Sequence, residues 1–363
     1  LNNPVVYLAR KLYFYADKRR KHIIWATTLL VIGVSVEATK PLILGYFLDY
    51  IQKNGITKEN ISSLFLILLL FLASEVIFWV FWGPARIIEQ KTAFVAKKNY
   101  KEYLLRGTMA LPLSWHTDHH SGNTVDKIEK GSNAMFSFSE ETYSFIQAFV
   151  RLFISVGALI YISFYASLVT IVTSIFIFYI IFLYDRRLIP GYKLVNKLEN
   201  NISEKVYDVI SNITTVIILR VENLVFKSIS RAIDTPYTQF KKNILNNEWK
   251  WIFAAALGRL SVVLTLATYL FLNINAGKVI LVGTIYILYS YASNVRETFF
   301  SFAQLYHRAI KYRSNIANAE ELSEDFIDDI TSLENKHLPK KWSAISIKDL
   351  SFSYHDEENA DLH

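Results

Sequence analysis

Apolar residues in this chain come in long blocks, not in the short periodic runs of a soluble core. The clearest block, Leu152–Tyr184, contains no charged residue and no histidine. As one helix at 1.5 Å per residue it would be about 50 Å long, well beyond a bilayer core of about 30 Å. It therefore reads as two spans joined by a tight turn near Ser163–Ser167, the first beginning near Tyr143. Upstream, His22–Ile51 and Ile61–Gly83 each have the length and apolarity of a span, separated by the polar turn Gln52–Asn60 with its Asn54-Gly55 pair. Downstream, Trp249–Leu272 and Val279–Val295 complete a set of six, separated by Asn273–Lys278. Trp25, Trp79, Trp82, Trp249 and Trp251 fall near the proposed span ends, where amphipathic rings favour the interface.

The connections are unequal. Those from the second to the third span and from the fourth to the fifth run to about 60 residues each, residues about 84–142 and 185–248, too long for structureless loops. Apolar residues recur in them at helical spacing, as in Val206, Val209, Ile210, Ile213 and Val216-Ile217. The predicted picture is of spans continuing as helices beyond the membrane and reversing near Pro112–Gly131 and Ser211–Glu222. An all-α membrane protein follows.

Composition sharpens this picture. Hydrophobic residues make up 52% of the 363, aromatics 15%, and mean hydropathy is +0.23. With no cysteine, the sequence can form no disulfide, zinc–thiolate site or thiol nucleophile. The net charge of +7 comes from basic residues that flank the apolar blocks, which points to membrane topology and not to nucleic acid. Arg10, Lys11, Lys18, Arg19, Arg20 and Lys21 precede the first span, and both long connections are rich in Lys and Arg. Both termini are thus expected in the cytoplasm of a cell whose plasma membrane, a bacterial inner membrane, holds the protein.

Ionisable residues inside the spans are costly and so are candidates for a substrate pathway. They are Glu37 and Lys40 in the first span, Glu75 in the second, Arg151 in the third, Arg259 in the fifth, and Arg296 with Glu297 at the inner end of the sixth. One reading has Arg151 and Arg296 snorkel to the inner headgroups, or pair with Glu75 and Glu297. Another makes Arg86, Arg151 and Arg296 a basic ring for the phosphate or carboxylate of an anionic amphiphile. Tyr286, Tyr289 and Tyr291 could line a path or simply pack. The run His116-Thr117-Asp118-His119-His120 has ligand types but reads as a polar docking surface, because neighbours on a helix point apart; no metal site is expected. Glu320, Glu321, Glu324, Asp325, Asp328 and Asp329 read as a solvated face.

Three stretches resemble the ABC exporters. Leu111–His116 followed by Ser121–Thr124 is similar to the region of the first coupling helix. Ile210–Val216 ending at Glu222 is similar to the second intracellular loop, although Ile217 stands where that family usually has a basic residue. Ile345–Tyr354 looks like the opening strand of the ATP-binding domain, and Pro41, Gly45 and Asp49 also fit the family pattern.

The resemblance implies a six-span transmembrane half with long intracellular helical extensions, expected as a domain-swapped homodimer. Its implied divisions are residues 1–22 (N-terminal elbow), 23–322 (transmembrane domain), 323–344 (linker) and 345–363 (first strand of a nucleotide-binding domain). Trp115, His116, Ser121, Gly122, Asn212, Thr215 and Glu222 would couple to nucleotide-binding domains, and Tyr354 would stack on adenine. The implied function is the export of an amphiphilic, anionic lipid-like substrate by alternating access, with ATP and Mg2+ serving the parent protein. The partners are a second copy, nucleotide-binding domains and membrane lipid. The sequence contains no G-x-x-x-x-G-K-[ST] phosphate cradle, so this chain alone is not expected to hydrolyse ATP. The alternative is a membrane protein of the same fold that does not pump, either a secondary transporter or a regulatory receptor.

Overall fold

The computed structural model describes residues 3–326 apart from His120, together with Ser346 and Asp349. The linker beyond residue 326, the expected strand at 345–363 and Tyr354 lie outside the described residues. Every regular element among the described residues is helical.

Helix α1, Pro4–Tyr15, is capped by Asn3, whose side chain accepts from the Val5 N–H at 2.9 Å, and has Pro4 in its first turn. A short 3-10 turn, Asp17–Arg19, leads into α2, Arg20–Glu37. The predicted first span is not one helix: it breaks at Ala38–Thr39, and α3, Lys40–Asn54, starts anew with Pro41 in its first turn. Next come α4, Ile61–Met109; the short α5, Leu113–Asp118; and α6, Ser121–Ile162. They are followed by α7, Phe164–Ser211; α8, Ile213–Ile218; α9, Glu222–Asp234; α10, Tyr237–Asn275; and α11, Val282–Glu324.

The long connections are therefore helical extensions of the spans. At 49 residues, α4 is about 74 Å long, more than twice a bilayer core. The Ser163 turn is where the sequence puts it, with the Ser163 side chain accepting from the Ala166 N–H. The second reversal matches Ser211–Glu222 as well. The first is tighter than predicted, because Ser121–Gly131 already belong to α6.

Among the described residues, five helical runs are long and apolar enough to cross a membrane: Asp17–Asn54, Ile61–Met109, Ser121–Ile162, Phe164–Ser211 and Glu222–Asn275. The sixth helix, α11, has the length, but tyrosines and polar residues interrupt its apolar stretch.

Packing divides the molecule. At the end carrying the long extensions, Leu8, Leu12, Tyr100, Leu104, Met135, Phe138, Ile316 and Leu322 form one core from α1, α4, α6 and α11. At the short-loop end, Leu159, Tyr269, Leu288, Tyr291 and Val295 join α6, α10 and α11. Helices α7 and α10 pack chiefly on each other, tied by a buried hydroxyl pair, Thr170 with Thr265 at 2.8 Å, and a half-buried one, Thr173 with Ser261. Their extensions contribute nothing to the first core, and none of the described residues of α8 or α9 is buried.

Candidate functional site

Two sets of residues carry the expected function: charges within the apolar part of the bundle, and the reversals at the far end of the extensions.

The charges are mostly paired. The Arg151 guanidinium donates to both carboxylate oxygens of Glu37, each at 3.2 Å, and the two side chains are 30% and 25% exposed. Glu75 is engaged by Lys40, which also lies over the Phe78 ring, and accepts from the Trp79 indole N–H at 2.9 Å. Glu37 ends α2 and Lys40 begins α3, so both ion pairs flank the break in the first span. Arg151 is thus paired with Glu37, where the sequence reading offered Glu75. Tyr291, fully buried, donates its hydroxyl to the Ala38 carbonyl at 2.8 Å, meeting a backbone acceptor that the break leaves free. It is a structural residue. Tyr289 is exposed.

Arg86 is occupied too. It pairs with the buried Glu89, donates to the Glu140 carbonyl at 2.8 Å, and lies 3.7 Å over the Tyr143 ring. Glu89 in turn accepts from the Tyr143 N–H at 2.8 Å. The ring of Arg86, Arg151 and Arg296 therefore does not stand as three free cations.

Arg259 and Arg296 differ from these. Arg259 is exposed on α10, and no hydrogen bond, ion pair or ring contact engages it among the described residues. Arg296 is 18% exposed, and its stem crosses α10 at Gly258, where a Cβ would come within 2.6 Å of the Arg296 Cδ. Its guanidinium reaches Glu297 at 3.1 Å, while its buried Nε has no partner among the described residues. Gly258 opens the notch in which that stem lies, next to Arg259 in sequence.

The first reversal is built around Trp115. Its ring stacks on His119 at 4.0 Å, with His116 edge-on at 5.2 Å, and its indole N–H donates to Asp325 at 2.8 Å. Phe326 packs against Gly107 and Tyr103. The histidines near Trp115 thus serve packing, and no group of three or more potential ligands gathers among the described residues. Ser121 and Gly122 begin α6 beside this turn, and a Cβ on Gly122 would meet open space.

In the second reversal, Asn212 donates to the Asp208 carbonyl at 2.9 Å, Thr215 is exposed on α8, and Glu222 opens α9. In the acidic tail Glu321, Glu324 and Asp325 are exposed and Glu320 is half-buried, while Asp328 and Asp329 lie outside the described residues. Glu320 binds Tyr7 and Lys11, Glu321 binds Lys127 at 2.7 Å, and Asp325 holds Trp115. Burial, with Glu320 second, pushes the Tyr7 phenol up, so it stays protonated and donates.

Sequence reasoning noted Gly45 and Asp49 without saying what they do. Asp49 accepts from the Gly283 N–H at 2.6 Å and from the Thr284 hydroxyl at 3.4 Å. Gln52 accepts from the Val282 N–H at 2.7 Å and donates to the Ile280 carbonyl at 3.1 Å. Side chains of α3 therefore cap α11, whose own N-cap residue, Leu281, makes no side-chain cap. The i, i+4 spacing of Pro41, Gly45 and Asp49 was the available signal, since it puts all three on one face.

Comparison with protein families matches residues 23–298 to the ABC transporter transmembrane region. The chain belongs to that family. No curated protein matches it. The match runs from the start of α2 into α11 and includes both reversals and every in-span charge named above. In this ABC transporter domain the all-helical bundle, the membrane-crossing helices and the helical extensions are common ground between sequence and structure.

Proposed function

We propose that the chain is the transmembrane half of an ATP-driven exporter that moves an anionic amphiphile by alternating access. Two copies enclose the pathway, and α7 with α10 crosses to the other copy. Support comes from the separation of the α7–α10 extensions from the core formed by α1, α4, α6 and α11. Apolar side chains left open on them agree with this, among them Tyr207 and Phe226, which are 70% and 69% exposed. Helices α5 and α8, with their flanking residues, dock on nucleotide-binding domains, and that end faces the cytoplasm, a reading supported by the basic residues of the extensions. The sequence has no phosphate cradle, so hydrolysis of ATP with Mg2+ is assigned to those domains, with Tyr354 contributing to adenine.

One observation carries the substrate class. Arg296 brings a guanidinium to the α10–α11 crossing with a neighbouring glutamate as its partner, and Arg259, which follows Gly258 in sequence, is exposed with no acidic partner among the described residues. A cation on a helix whose exposed residues include the apolar Ile252 and Val263 is costly unless an anion or water meets it. A phosphate or carboxylate on an apolar tail supplies both partners.

The test is lipid-stimulated ATPase of the full transporter with Arg259→Gln, Arg296→Gln and Arg296→Lys. Loss of a charge-assisted hydrogen bond of about 1.5–3 kcal/mol raises the half-stimulating concentration of an anionic lipid about 10- to 100-fold, with Arg296→Lys intermediate. Stimulation by a neutral lipid without phosphate or carboxylate, such as a diacylglycerol, should be equal in all variants. Unchanged stimulation by anionic lipids in both Gln variants would sink the substrate class.

A further inference from the structure

The first reversal is held by one side chain. Helix α5 has six residues, too few to be stable alone. Trp115 is half-buried, and the other described side chains of α5 are exposed. The Trp115 ring lies on the edge of the core built from α1, α4, α6 and α11, and its indole N–H donates to Asp325 at 2.8 Å. Asp325 is the C-cap residue of α11. Phe326, the next residue, lies on Gly107 near the end of α4, where a Cβ would collide with its ring, and it meets Tyr103 edge-on at 5.7 Å. Just before them, Glu320 is engaged by Tyr7 and Lys11 of α1, and Glu321 by Lys127 of α6 at 2.7 Å. Residues 320–326 therefore touch α1, α4, α5 and α6. The second reversal has no such anchor among the described residues: α8 packs on its chain neighbours α7 and α9, and none of its residues is buried.

We infer that residues 320–326 form a clasp that fixes α5 to the end of α11, so that a pull on the chain beyond residue 326 turns the first reversal directly. Asp325 and Phe326 are its positioning residues, and both act through Trp115 and the end of α4. The two contacts suit this task because neither can slip. A sideways shift of about 1 Å would take the indole N–H beyond hydrogen-bond range of Asp325 and lift the Phe326 ring off Gly107. The exposed Lys127–Glu321 pair adds little, since water competes for both charges. Without the clasp, α5 would keep only its contact with the core edge and could tilt. The inference rests on the reading that α5 docks on a nucleotide-binding domain and that such a domain follows the linker.

The experiment compares three forms of the full transporter in nanodiscs: wild type, Asp325→Ala/Phe326→Ala, and the conservative Asp325→Glu/Phe326→Leu. Amides of residues 113–118 should exchange about fivefold faster or more in the Ala pair, as expected for a lost hydrogen bond, and close to the wild-type rate in the conservative pair. Residues 237–250 of α10 should be unaffected. A spin label at Lys278→Cys, in a chain with no cysteine of its own, then reports the distance between the short-loop ends of the two copies. Wild type should shift this distance on addition of MgATP with vanadate. The Ala pair should hydrolyse ATP within about twofold of wild type yet lose most of the shifted population, and the conservative pair should regain it. Should the Ala pair not fold, Asp325→Ala alone, which leaves Phe326 on Gly107, is judged by the same readings. Unaltered exchange at residues 113–118, faster exchange with the full distance shift, or loss of ATP hydrolysis itself would each overturn the clasp as a transmitting device. A wild type whose labels ignore nucleotide would overturn the exporter reading and the transmission together, while the exchange result would still decide whether the clasp exists.

Discussion

Arg151→Gln offers the sharpest test of how the in-span charges are used. The substitution leaves Glu37 at the end of α2 without its guanidinium. An unpaired carboxylate at mid-membrane costs about 2.5–3.5 kcal/mol. Because a quarter of Glu37 is open, solvent relieves part of this, and a loss of about 2 kcal/mol is expected. That is roughly 30-fold in the ratio of folded to unfolded protein, enough to lower Tm by several degrees. Glu37→Gln strands the arginine and should cost a similar amount. In the double variant two neutral amides can hydrogen-bond each other, and most of the loss returns, giving a coupling energy of about 3 kcal/mol. The assay is thermal unfolding of the four proteins in one detergent, followed by size-exclusion recovery. If the double variant is no more stable than Arg151→Gln alone, the two residues are not a pair. Arg151 would then be free for substrate beside Arg296.

Other expectations follow from local geometry. Gly283→Ala drives a methyl against the Gly45 carbonyl and the Asp49 carboxylate, and should cost about 1–3 kcal/mol by overpacking. Gly157→Ala, with open space around it, should be neutral or slightly stabilising in the same Tm assay. Trp115→Phe keeps a ring on His119 but loses the bond to Asp325; about 1 kcal/mol of local stability should go, read as faster hydrogen exchange at residues 113–118. Unchanged exchange there would mean that the Asp325 bond contributes nothing to holding the turn. Thr265→Val removes the hydroxyl shared with Thr170 between α7 and α10, and should lower Tm by an amount matching about 1 kcal/mol.

Much of the bundle was readable in the sequence because lipid imposes long uncharged stretches, and charge marks where they end. The turn at Ser163 could be located within an unbroken apolar block, since length alone forbids a single helix there. Length could not reveal the break at Ala38–Thr39, which interrupts a segment short enough to be one span. Lys40-Pro41 was its signal, a proline in the first turn of a new helix, and it lay unused among apolar neighbours. The partners of charged residues were harder to read. Arg151 meets Glu37 and not Glu75 because the break turns Glu37 toward α6 while Lys40 takes Glu75, and sequence spacing carries no information about either choice. The same holds for Glu320 in the acidic tail, which is half-buried because α1 brings Tyr7 and Lys11 to it. Tertiary partners far apart in sequence decide these roles.

The central claim is that this bundle carries substrate at the expense of ATP. Its most direct measurement is the movement of a fluorescent anionic lipid across vesicles containing the full transporter, oriented with the extensions outward. The account predicts transport into the lumen with MgATP and none with a non-hydrolysable analogue, whatever ion gradient is imposed. Movement at the same rate without ATP, or movement that follows an ion gradient, would contradict it.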